Sequence, residues 1–309
     1  MTNLIVGGTG FIGGHLVEYL LQQGEISKGI FRAGSYLKIM DSSGVQCIEA
    51  NLLDHHSLHD ALDGVDTLYS LASPMPDTGT KDYATLNTLG IRNLLEAARE
   101  VGVGSVAHLS TLDVYGFKNH AITESSEPQP VHPYQKAKLE AERLLLDFAE
   151  KNGGTKVVIL RSSRAIGSRD RTMVLQILKV AEGGTVVLPP GGVMSFSHPK
   201  DVAQAMHRAA TSDSPRKKLY LVKSFDSTID DVAATIISAS GRQAVIKRQG
   251  FRTGRTLLPD YAVEQVKASL RIEGDGRLED LGYSPSYDLR KLGEDVGEWY
   301  RREPWVLEE

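Results

Sequence analysis

The sequence has a single cysteine, Cys47, among 309 residues. One cysteine excludes an internal disulfide framework and leaves no cysteine pair for a metal site, as is typical of proteins in reducing compartments. No run of residues approaches the roughly 18 consecutive apolar positions that a membrane span requires. The apolar start is broken by Gly7 and lacks the cationic lead of a signal peptide. We therefore expect neither a secreted nor an integral membrane protein, and predict a cytoplasmic location.

The sequence also lacks an excess of basic residues. Lysine and arginine number 35 against 39 acidic residues, which gives a net charge of -4. Nucleic-acid-binding proteins normally carry a basic excess on one face, so we expect no nucleic-acid partner. His55, His56 and His59 have helical spacing, but no carboxylate motif or second histidine pair completes a metal site, and we predict no metal.

Short apolar runs alternate with helix-like stretches along most of the chain. The apolar runs are 3–6, 26–31, 45–48, 66–71, 105–109 and 156–160, and the helix-like stretches are 11–23, 56–62, 83–101 and 134–151. Strands that are continuously apolar are typical of a parallel sheet covered on both faces. The pattern therefore predicts an α/β fold with a doubly wound parallel sheet.

The alternation weakens after residue 166, where glycine, proline and short mixed elements increase. We therefore predict two parts. Residues 1–165 are predicted to form the domain of the large sheet, and the glycine-rich turn and motifs described below indicate a dinucleotide-binding domain of the Rossmann type. Residues 166–309 form mainly a smaller substrate-binding lobe, with segments near 195–222 returning to the first domain.

A glycine-rich turn separates the first predicted strand from the first predicted helix. Gly8, Gly10 and Gly13 match the pattern G-x-G-x-x-G, and Gly7 extends it. Glycines there allow the backbone to approach a pyrophosphate, while the first amides of the helix attract the anion. An ordinary tight turn is the structural alternative.

Tyr134 and Lys138 lie four residues apart in the stretch HPYQKAKLEAE, on one face of a predicted helix that begins at Pro133. That spacing alone is common on solvated helical faces. Its meaning depends on the motifs that precede it.

Together these motifs resemble the extended short-chain dehydrogenase/reductase family of the NAD-dependent epimerase/dehydratase type. The resemblance is carried by motifs in the family's order and spacing: GGTGFIG at 7–13, LASP at 71–74, Asn87, STLDVYG at 110–116 and the pair Tyr134 and Lys138. It extends from residue 2 to about 210.

The resemblance implies a catalytic set of Thr111, Tyr134 and Lys138. A free tyrosine has a pKa near 10, so a tyrosine base at neutral pH requires a shift of about three units. We expect the Lys138 ammonium to favour the phenolate and to bind the nicotinamide ribose, and the Thr111 hydroxyl to orient the reacting carbon. The implied cofactor-binding residues are Gly7, Gly10, Phe11, Ile12, Gly13, Arg32, Asn51, Leu52, Leu71, Ala72, Ser73, Asn87, Tyr134, Lys138 and Ser163.

The end of the second strand differs from that of NAD-specific relatives, which place an acid there to bind the adenosine ribose. Phe31 takes the acidic position here and Arg32 follows it. Arginine suits a 2'-phosphate, so NADP is favoured over NAD, although Arg32 is also compatible with a solvated strand end. Asn51 replaces the family's usual aspartate near the adenine.

The STLDVYG motif bears on the reaction. Dehydratases of the family carry two acids after the threonine, but Leu112 takes the first of those positions and Asp113 alone remains. This argues against dehydration. Asp113 is predicted either to take part in the chemistry or to satisfy a loop. Arg164, Arg169 and Arg171 follow the sixth predicted strand, where relatives contact a substrate diphosphate, although a solvated turn is the alternative.

The predicted function is hydride transfer with a tyrosine base, acting on a nucleotide sugar and giving epimerisation. A one-way NADPH-dependent ketone or aldehyde reductase, similar to dihydroflavonol or hydroxysteroid reductases, is the first alternative. A non-catalytic dinucleotide-sensing protein is the second. The resemblance also implies a homodimer that pairs through the helices at 83–101 and 134–151, where Leu139, Leu144 and Leu145 are compatible with an interface or a core.

Overall fold

The computed structural model describes residues 1–32, 44–76, 82–117, 121–213, 218–248, 258–274 and 278–303. The strands of these ranges are β1 (Thr2–Val6), β2 (Ile26–Phe31), β3 (Gln46–Glu49), β4 (Thr67–Ser70), β5 (Ser105–Thr111), β6 (Ala121–Ile122), β7 (Lys156–Ser162), β8 (Arg164–Ala165), β9 (Thr185–Leu188), β10 (Met194–Ser197), β11 (Leu219–Val222), β12 (Phe225–Ser227), β13 (Val245–Arg248) and β14 (Arg271–Ile272).

The α-helices of the same ranges are α1 (Phe11–Gln22), α2 (His55–Leu62), α3 (Ile91–Val101), α4 (Pro133–Lys151), α5 (Val174–Ala181), α6 (Pro199–Thr211), α7 (Ile229–Ala239), α8 (Asp260–Ala268) and α9 (Leu289–Arg302). A π-helical segment, Thr85–Gly90, leads into α3, and 3₁₀ turns span Leu112–Tyr115 and Leu278–Leu281. None of the described helices is both long and apolar enough to pass through a bilayer.

Seven parallel strands form the large sheet, in the order β11-β7-β5-β4-β1-β2-β3. Its strands are short apolar runs because helices cover both faces. Successive side chains of β1 show this, since Leu4 and Val6 join a core with α2, α3 and α4, whereas Ile5 joins a core with α1 and α6. The predicted doubly wound α/β fold is confirmed.

The order of the sheet reverses at β1, which has β2 on one side and β4 on the other. Chain connections leave this point in opposite directions, so a crevice opens beyond the carboxyl ends of β1 and β4. The glycine-rich turn after β1 and the LASP segment after β4 therefore meet at one edge of the sheet.

The remaining strands form small sheets outside the large one. They pair as β12-β10-β8, β13-β9 and β14-β6. A separate apolar core packs α5, α7 and α8 against Trp299 of α9. The chain returns to the large sheet with α6, which covers α1, and with β11 at its edge.

Candidate active site

The turn between β1 and α1 is built so that only glycine fits at two of its positions. Gly7 has φ +100°, and a methyl group there would lie 2.7 Å from the backbone nitrogen of Ala72. At Gly13 a methyl group would lie 2.0 Å from the Gly7 carbonyl oxygen. The Gly10 N–H donates to that same oxygen at 3.0 Å. Helix α1 is thereby drawn against the end of β1.

The first turn of α1 has the properties of an anion site. Gly10 is the N-cap and provides no side-chain hydrogen bond, and the first turn contains no acidic residue. The amides of Phe11, Ile12 and Gly13 lack acceptors within the helix, and the positive end of the helix dipole adds to them. The backbone cradle and these amides fit the pyrophosphate of a dinucleotide.

The predicted residues after β4 lie beside this turn. The Leu71 and Ala72 amides both donate to the Val6 carbonyl, at 2.8 and 3.0 Å, which holds the segment against β1. Ser73 Oγ donates to Asn87 Oδ1 at 3.1 Å, and Asn87 Nδ2 donates to the Tyr83 carbonyl at 2.8 Å. Asn87, fully buried, thus links the wall of the crevice to the π-helical segment.

Three predicted cofactor residues lie at the other end of the crevice, beyond β2 and β3. Arg32 is exposed directly after β2. Asn51 is exposed, and its Oδ1 accepts from the Leu53 amide at 3.0 Å. Leu52 is buried, and a methyl group added at Gly90 would lie 3.1 Å from its Cβ. The Leu52 side chain therefore packs the loop after β3 against the π-helical segment and offers no polar group to a ligand.

Tyr134 lies in the first turn of α4, and that turn is strongly specified. His132 is the N-cap and accepts from the Tyr134 amide at 3.1 Å, while Gln135 Oε1 accepts from the His132 amide at 3.0 Å. Pro133 occupies the first helical position, where its missing N–H costs nothing. This reciprocal capping box fixes the direction in which Tyr134 leaves the helix.

Thr111 lies at the end of β5, the strand on which α4 packs. Its Oγ1 accepts from the Asp113 amide at 3.1 Å and caps the 3₁₀ turn that follows. A hydrogen bond from the Thr111 side chain lowers the pKa of Tyr134, but this effect is the smaller one. The structure thus places two members of the predicted catalytic set together.

Burial, with a further contribution from the neighbouring Asp113 carboxyl, raises the pKa of Tyr134 above its usual value. Arg164 opposes the shift, while Lys138 is not among its main causes. Lys138 turns toward β5, where its ammonium donates to the Leu109 carbonyl. That this ammonium favours the Tyr134 phenolate stays a prediction.

The third member of the set is enclosed beneath Tyr134. Lys138 Nζ donates to the Leu109 carbonyl at 2.7 Å and lies 3.1 Å from His108 Nε2. Burial lowers the pKa of Lys138 to about 8, and the Glu142 carboxylate one turn further along α4 opposes that change. The lysine is thus still cationic at neutral pH.

Asp113 is held by the C-terminal part of the chain. Its Oδ2 accepts from Tyr261 Oη at 2.9 Å and from Gln265 Nε2 at 2.7 Å, both on α8. Burial raises the pKa of Asp113, while these two hydrogen bonds lower it. Sequence reasoning missed Tyr261 and Gln265, which lie 148 and 152 residues beyond Asp113.

Aromatic rings surround Tyr134. The Tyr134 ring meets those of Tyr83 and Tyr261 edge to face, with centroids 5.8 and 5.7 Å apart. Phe117 and His132 pack in turn on Tyr261, at 5.1 and 4.8 Å. The phenol therefore lies in a mostly apolar enclosure.

Arg164 and Arg169, two of the three predicted arginines, have different partners. Arg164 donates to Gln265 Oε1 at 2.7 Å and to Thr172, whereas Arg169 donates to Glu18 Oε1 at 2.7 Å and to His15 of α1. Arg171 is exposed. The Arg169 guanidinium is engaged by the Glu18 carboxylate of α1, and a substrate diphosphate contact of these arginines stays a prediction. Ser163 also faces inward, 2.7 Å from Ser197 Oγ.

No three histidine, cysteine, aspartate or glutamate side chains of the described ranges lie close enough together to hold a metal ion. His55 instead lies 3.4 Å from Glu100, and His59 lies 3.8 Å from Asp60.

Fold and site together define a class. A doubly wound sheet with a glycine-rich turn at its reversal point, and with a threonine at the carboxyl end of a strand beneath a tyrosine- and lysine-bearing helix, has the arrangement of a dinucleotide-dependent enzyme. Residues 3–222 match the model of the NAD dependent epimerase/dehydratase family, and the chain belongs to that family. It is an enzyme of the NAD-dependent epimerase/dehydratase type, so the non-catalytic alternative is set aside.

Relatives of two kinds are similar over the whole length. "Sterol demethylase protein B" of Methylococcus capsulatus is 29% identical over 97% of this chain and 98% of its own. UDP-glucose 4-epimerase of Lacticaseibacillus casei is 26% identical over 98% of both chains. The structure of UDP-glucose-4-epimerase from Stenotrophomonas maltophila, with bound NAD and formylated UDP-arabinopyranose, superimposes with a TM-score of 0.85 at 20% identity over 99% of both chains.

Proposed function

We propose that this enzyme uses a nicotinamide dinucleotide to epimerise a nucleotide sugar, with Tyr134 exchanging a proton with a substrate hydroxyl. The observation that carries the proposal is the placement of Thr111 at the carboxyl end of β5 and of buried Tyr134 in the capped first turn of α4, which packs on that strand. When bound, the nicotinamide supplies a hydride acceptor and donor. The chain's own residues supply position and proton transfer.

The roles of the residues follow from their contacts. Thr111 orients the reacting hydroxyl, because its own oxygen is fixed by the Asp113 amide. Tyr134 takes and returns the proton in an enclosure that excludes water. Asp113 offers a carboxyl group to neighbouring sugar hydroxyls, and Leu112, buried in the place of a second acid, leaves no pair for dehydration.

The binding turn would hold the dinucleotide through the Gly7–Gly13 backbone, and Asn87, Ser73 and Ala72 would line the crevice. We also propose that NADP is accepted in preference to NAD, because Phe31 and the exposed Arg32 follow β2 where an acid would bind a ribose diol. Parallel titrations with the two dinucleotides measure this preference.

The substrate class rests on the relatives and on the C-terminal part of the chain. The two UDP-glucose epimerases above are similar over at least 98% of this chain. Residues beyond 165 bring Tyr261 and Gln265 against Asp113, which supports a substrate-binding role for that part. Specificity in such folds is set by loops around a shared site.

A one-way ketone or hydroxysteroid oxidoreductase is the second candidate. It is favoured by the similarity to the Methylococcus protein along 97% of the chain and by the aromatic enclosure of Tyr134. Flat apolar rings would suit that enclosure, although sugar rings also pack on aromatic side chains.

We further propose a homodimer that pairs through α3 and α4, in a cytoplasmic protein. Leu145 is buried in the core beneath α4, whereas Leu139 and Leu144 are half-buried and Leu89 is 49% exposed. Sedimentation velocity at several concentrations measures the oligomeric state.

Replacing Tyr134 by phenylalanine tests the proposed function. The change removes one oxygen from a buried ring and is expected to lower turnover of UDP-glucose or UDP-galactose by about 10²- to 10⁴-fold. Tyr83→Phe is the matched control, because its ring packs on Tyr134 in the same enclosure at 5.8 Å. Tyr83→Phe should retain near wild-type turnover. Full turnover in Tyr134→Phe would contradict the assignment.

A further inference from the structure

A buried histidine lies in the middle of the apolar strand β5. His108 is fully buried, on the same face of the strand as Val106 and Ser110, and that face packs against α4. Burying an imidazole costs free energy unless its two nitrogens find partners. Their partners therefore indicate why a histidine occupies this position.

Both ring nitrogens of His108 have partners. Nε2 lies 3.1 Å from Lys138 Nζ, and Nδ1 lies 3.1 Å from Ser70 Oγ. Ser70 is the register partner of His108 on the neighbouring strand β4, so the contact crosses the sheet directly. A line of three side chains thus runs from α4 through β5 to β4.

The chemistry of the three groups fixes the direction of the hydrogen bonds. An ammonium has three donors and no acceptor, so His108 Nε2 must accept from Lys138. The other nitrogen then carries the proton and donates to Ser70 Oγ. Burial, helped by the nearby Lys138 charge, lowers the pKa of His108 and keeps the ring neutral.

We propose that His108 is a positioning residue for the Lys138 ammonium: its neutral imidazole accepts one N–H, the Leu109 carbonyl accepts a second, and the third is left to point toward the crevice. This inference rests on the proposed function of Tyr134 and on the predicted role of Lys138 at the nicotinamide ribose. It adds the group that fixes the lysine's direction and keeps it cationic.

Other charged groups act on Lys138 from each element around it. Tyr134 and Glu142 lie one turn before and after it on α4. Glu142 is itself engaged by Arg161 of β7, whose Nη2 lies 2.6 Å from Oε2, and by Ser110 of β5. The Glu142 carboxylate raises the pKa of Lys138 and so supports its charge. Among the described side chains, His108 is the one that accepts a hydrogen bond from the Lys138 ammonium.

Nitrogen-detected NMR of the intact protein tests the assignment without a substrate. Free neutral histidine mostly carries its proton on Nε2, whereas His108 is expected to carry it on Nδ1 and to remain neutral between about pH 5 and 8. A protonated Nε2, or an imidazolium in that range, would overturn the proposal. Ser70→Ala should increase the Nε2-protonated fraction.

The pH dependence of turnover provides the second test. His108→Phe keeps a ring but removes the acceptor, so the pKa of Lys138 and the basic limb of the pH–rate profile should move down by about one to two units. His108→Gln places an amide oxygen near Nε2 and should restore the limb. If His108→Phe lowers turnover without moving the basic limb of the pH–rate profile, His108 contributes only to packing.

The two proposals fail separately. If the Tyr134→Phe variant is inactive and the pH–rate profile of the His108→Phe variant equals that of the wild type, the positioning role is rejected and the proposed function is kept. A fully active Tyr134→Phe rejects the proposed function, whatever the NMR of His108 shows. Should His108→Phe fail to fold, the tautomer of the wild-type ring and the profile of Ser70→Ala still decide the question.

Discussion

At the scale of single residues, Asp113 carries the clearest consequence for stability. Burial raises its pKa above the unfolded value of about 3.9, so the folded state binds its proton more tightly. The free energy of unfolding should therefore fall as the pH rises from about 4 through the raised pKa. At neutral pH this carboxyl group destabilises the fold.

Replacing Asp113 by asparagine should relieve that cost. The amide oxygen can still accept from Tyr261 and Gln265, because both donors converge on one oxygen atom. We expect a gain of roughly 0.5–2 kcal/mol at pH 7, the usual size of stabilising changes at functional positions. Urea unfolding at several pH values measures it. A variant-minus-wild-type difference that does not change with pH would contradict the explanation.

Thr111 and Tyr134, two of the proposed catalytic residues, could be located from sequence because their motifs are local. Thr111 ends a buried strand, and Tyr134 begins a capped helix after Pro133, so type and spacing sufficed. The electrostatics could not be found in the same way. The groups that shift the pKa values of Tyr134 and Asp113 include Arg164, Tyr261 and Gln265. The positions of these three residues depend on how the C-terminal part of the chain packs against the large sheet.

At the scale of elements, the packing of α1 against β1 controls the phosphate-binding turn. A methyl group at Gly13 would lie 2.0 Å from the Gly7 carbonyl oxygen, which belongs to the backbone and cannot rotate away. Gly13→Ala should therefore push α1 outward, lower the free energy of unfolding by about 1–3 kcal/mol and weaken dinucleotide binding at least tenfold. Fluorescence titration and urea unfolding measure the two effects.

Gly104→Ala is the matched control for the same experiment. Gly104 precedes β5 at the opposite edge of the sheet, where a methyl group would lie 3.5 Å from the Asp66 carbonyl, an ordinary contact. Its stability should change by less than about 0.5 kcal/mol, with unchanged dinucleotide affinity. Equal affinities in the Gly13 and Gly104 variants would show that the turn does not hold the dinucleotide.

Six of the seven strands of the large sheet were predictable as short apolar runs, the exception being β11, and helices of suitable length follow several of them. Predicted runs at 26–31 and 105–109 become β2 and β5, and the predicted helix at 134–151 becomes α4 with one added residue. The stretch 83–101 is different: it opens with the π-helical segment Thr85–Gly90, whose wider turn has no periodic signal in the sequence.

At the scale of the whole molecule, the fold brings distant parts of the chain to one crevice. The C-terminal part could not be assembled from sequence, because its strands are two to four residues long and pair over long separations, as β9 does with β13. Such pairings depend on tertiary packing rather than on local pattern. The same packing brings α8 to Asp113 and gives the site its second wall.

Epimerisation and one-way reduction also separate at this scale. An epimerase returns the hydride to the same substrate and leaves the dinucleotide unchanged after each cycle, whereas a reductase consumes it. The proposal of epimerisation rests on the similarity to UDP-glucose 4-epimerase of Lacticaseibacillus casei and on the single acid at Asp113.

The most direct measurement is turnover of UDP-glucose by the wild-type enzyme with NAD or NADP, followed at once by chromatography of the sugar nucleotides and by absorbance at about 340 nm, where reduced nicotinamide absorbs. The proposed function predicts conversion to the 4-epimer with no net absorbance change, and loss of that conversion in Tyr134→Phe. Steady consumption of NADPH with a carbonyl substrate, and no epimer from any nucleotide sugar, would contradict it.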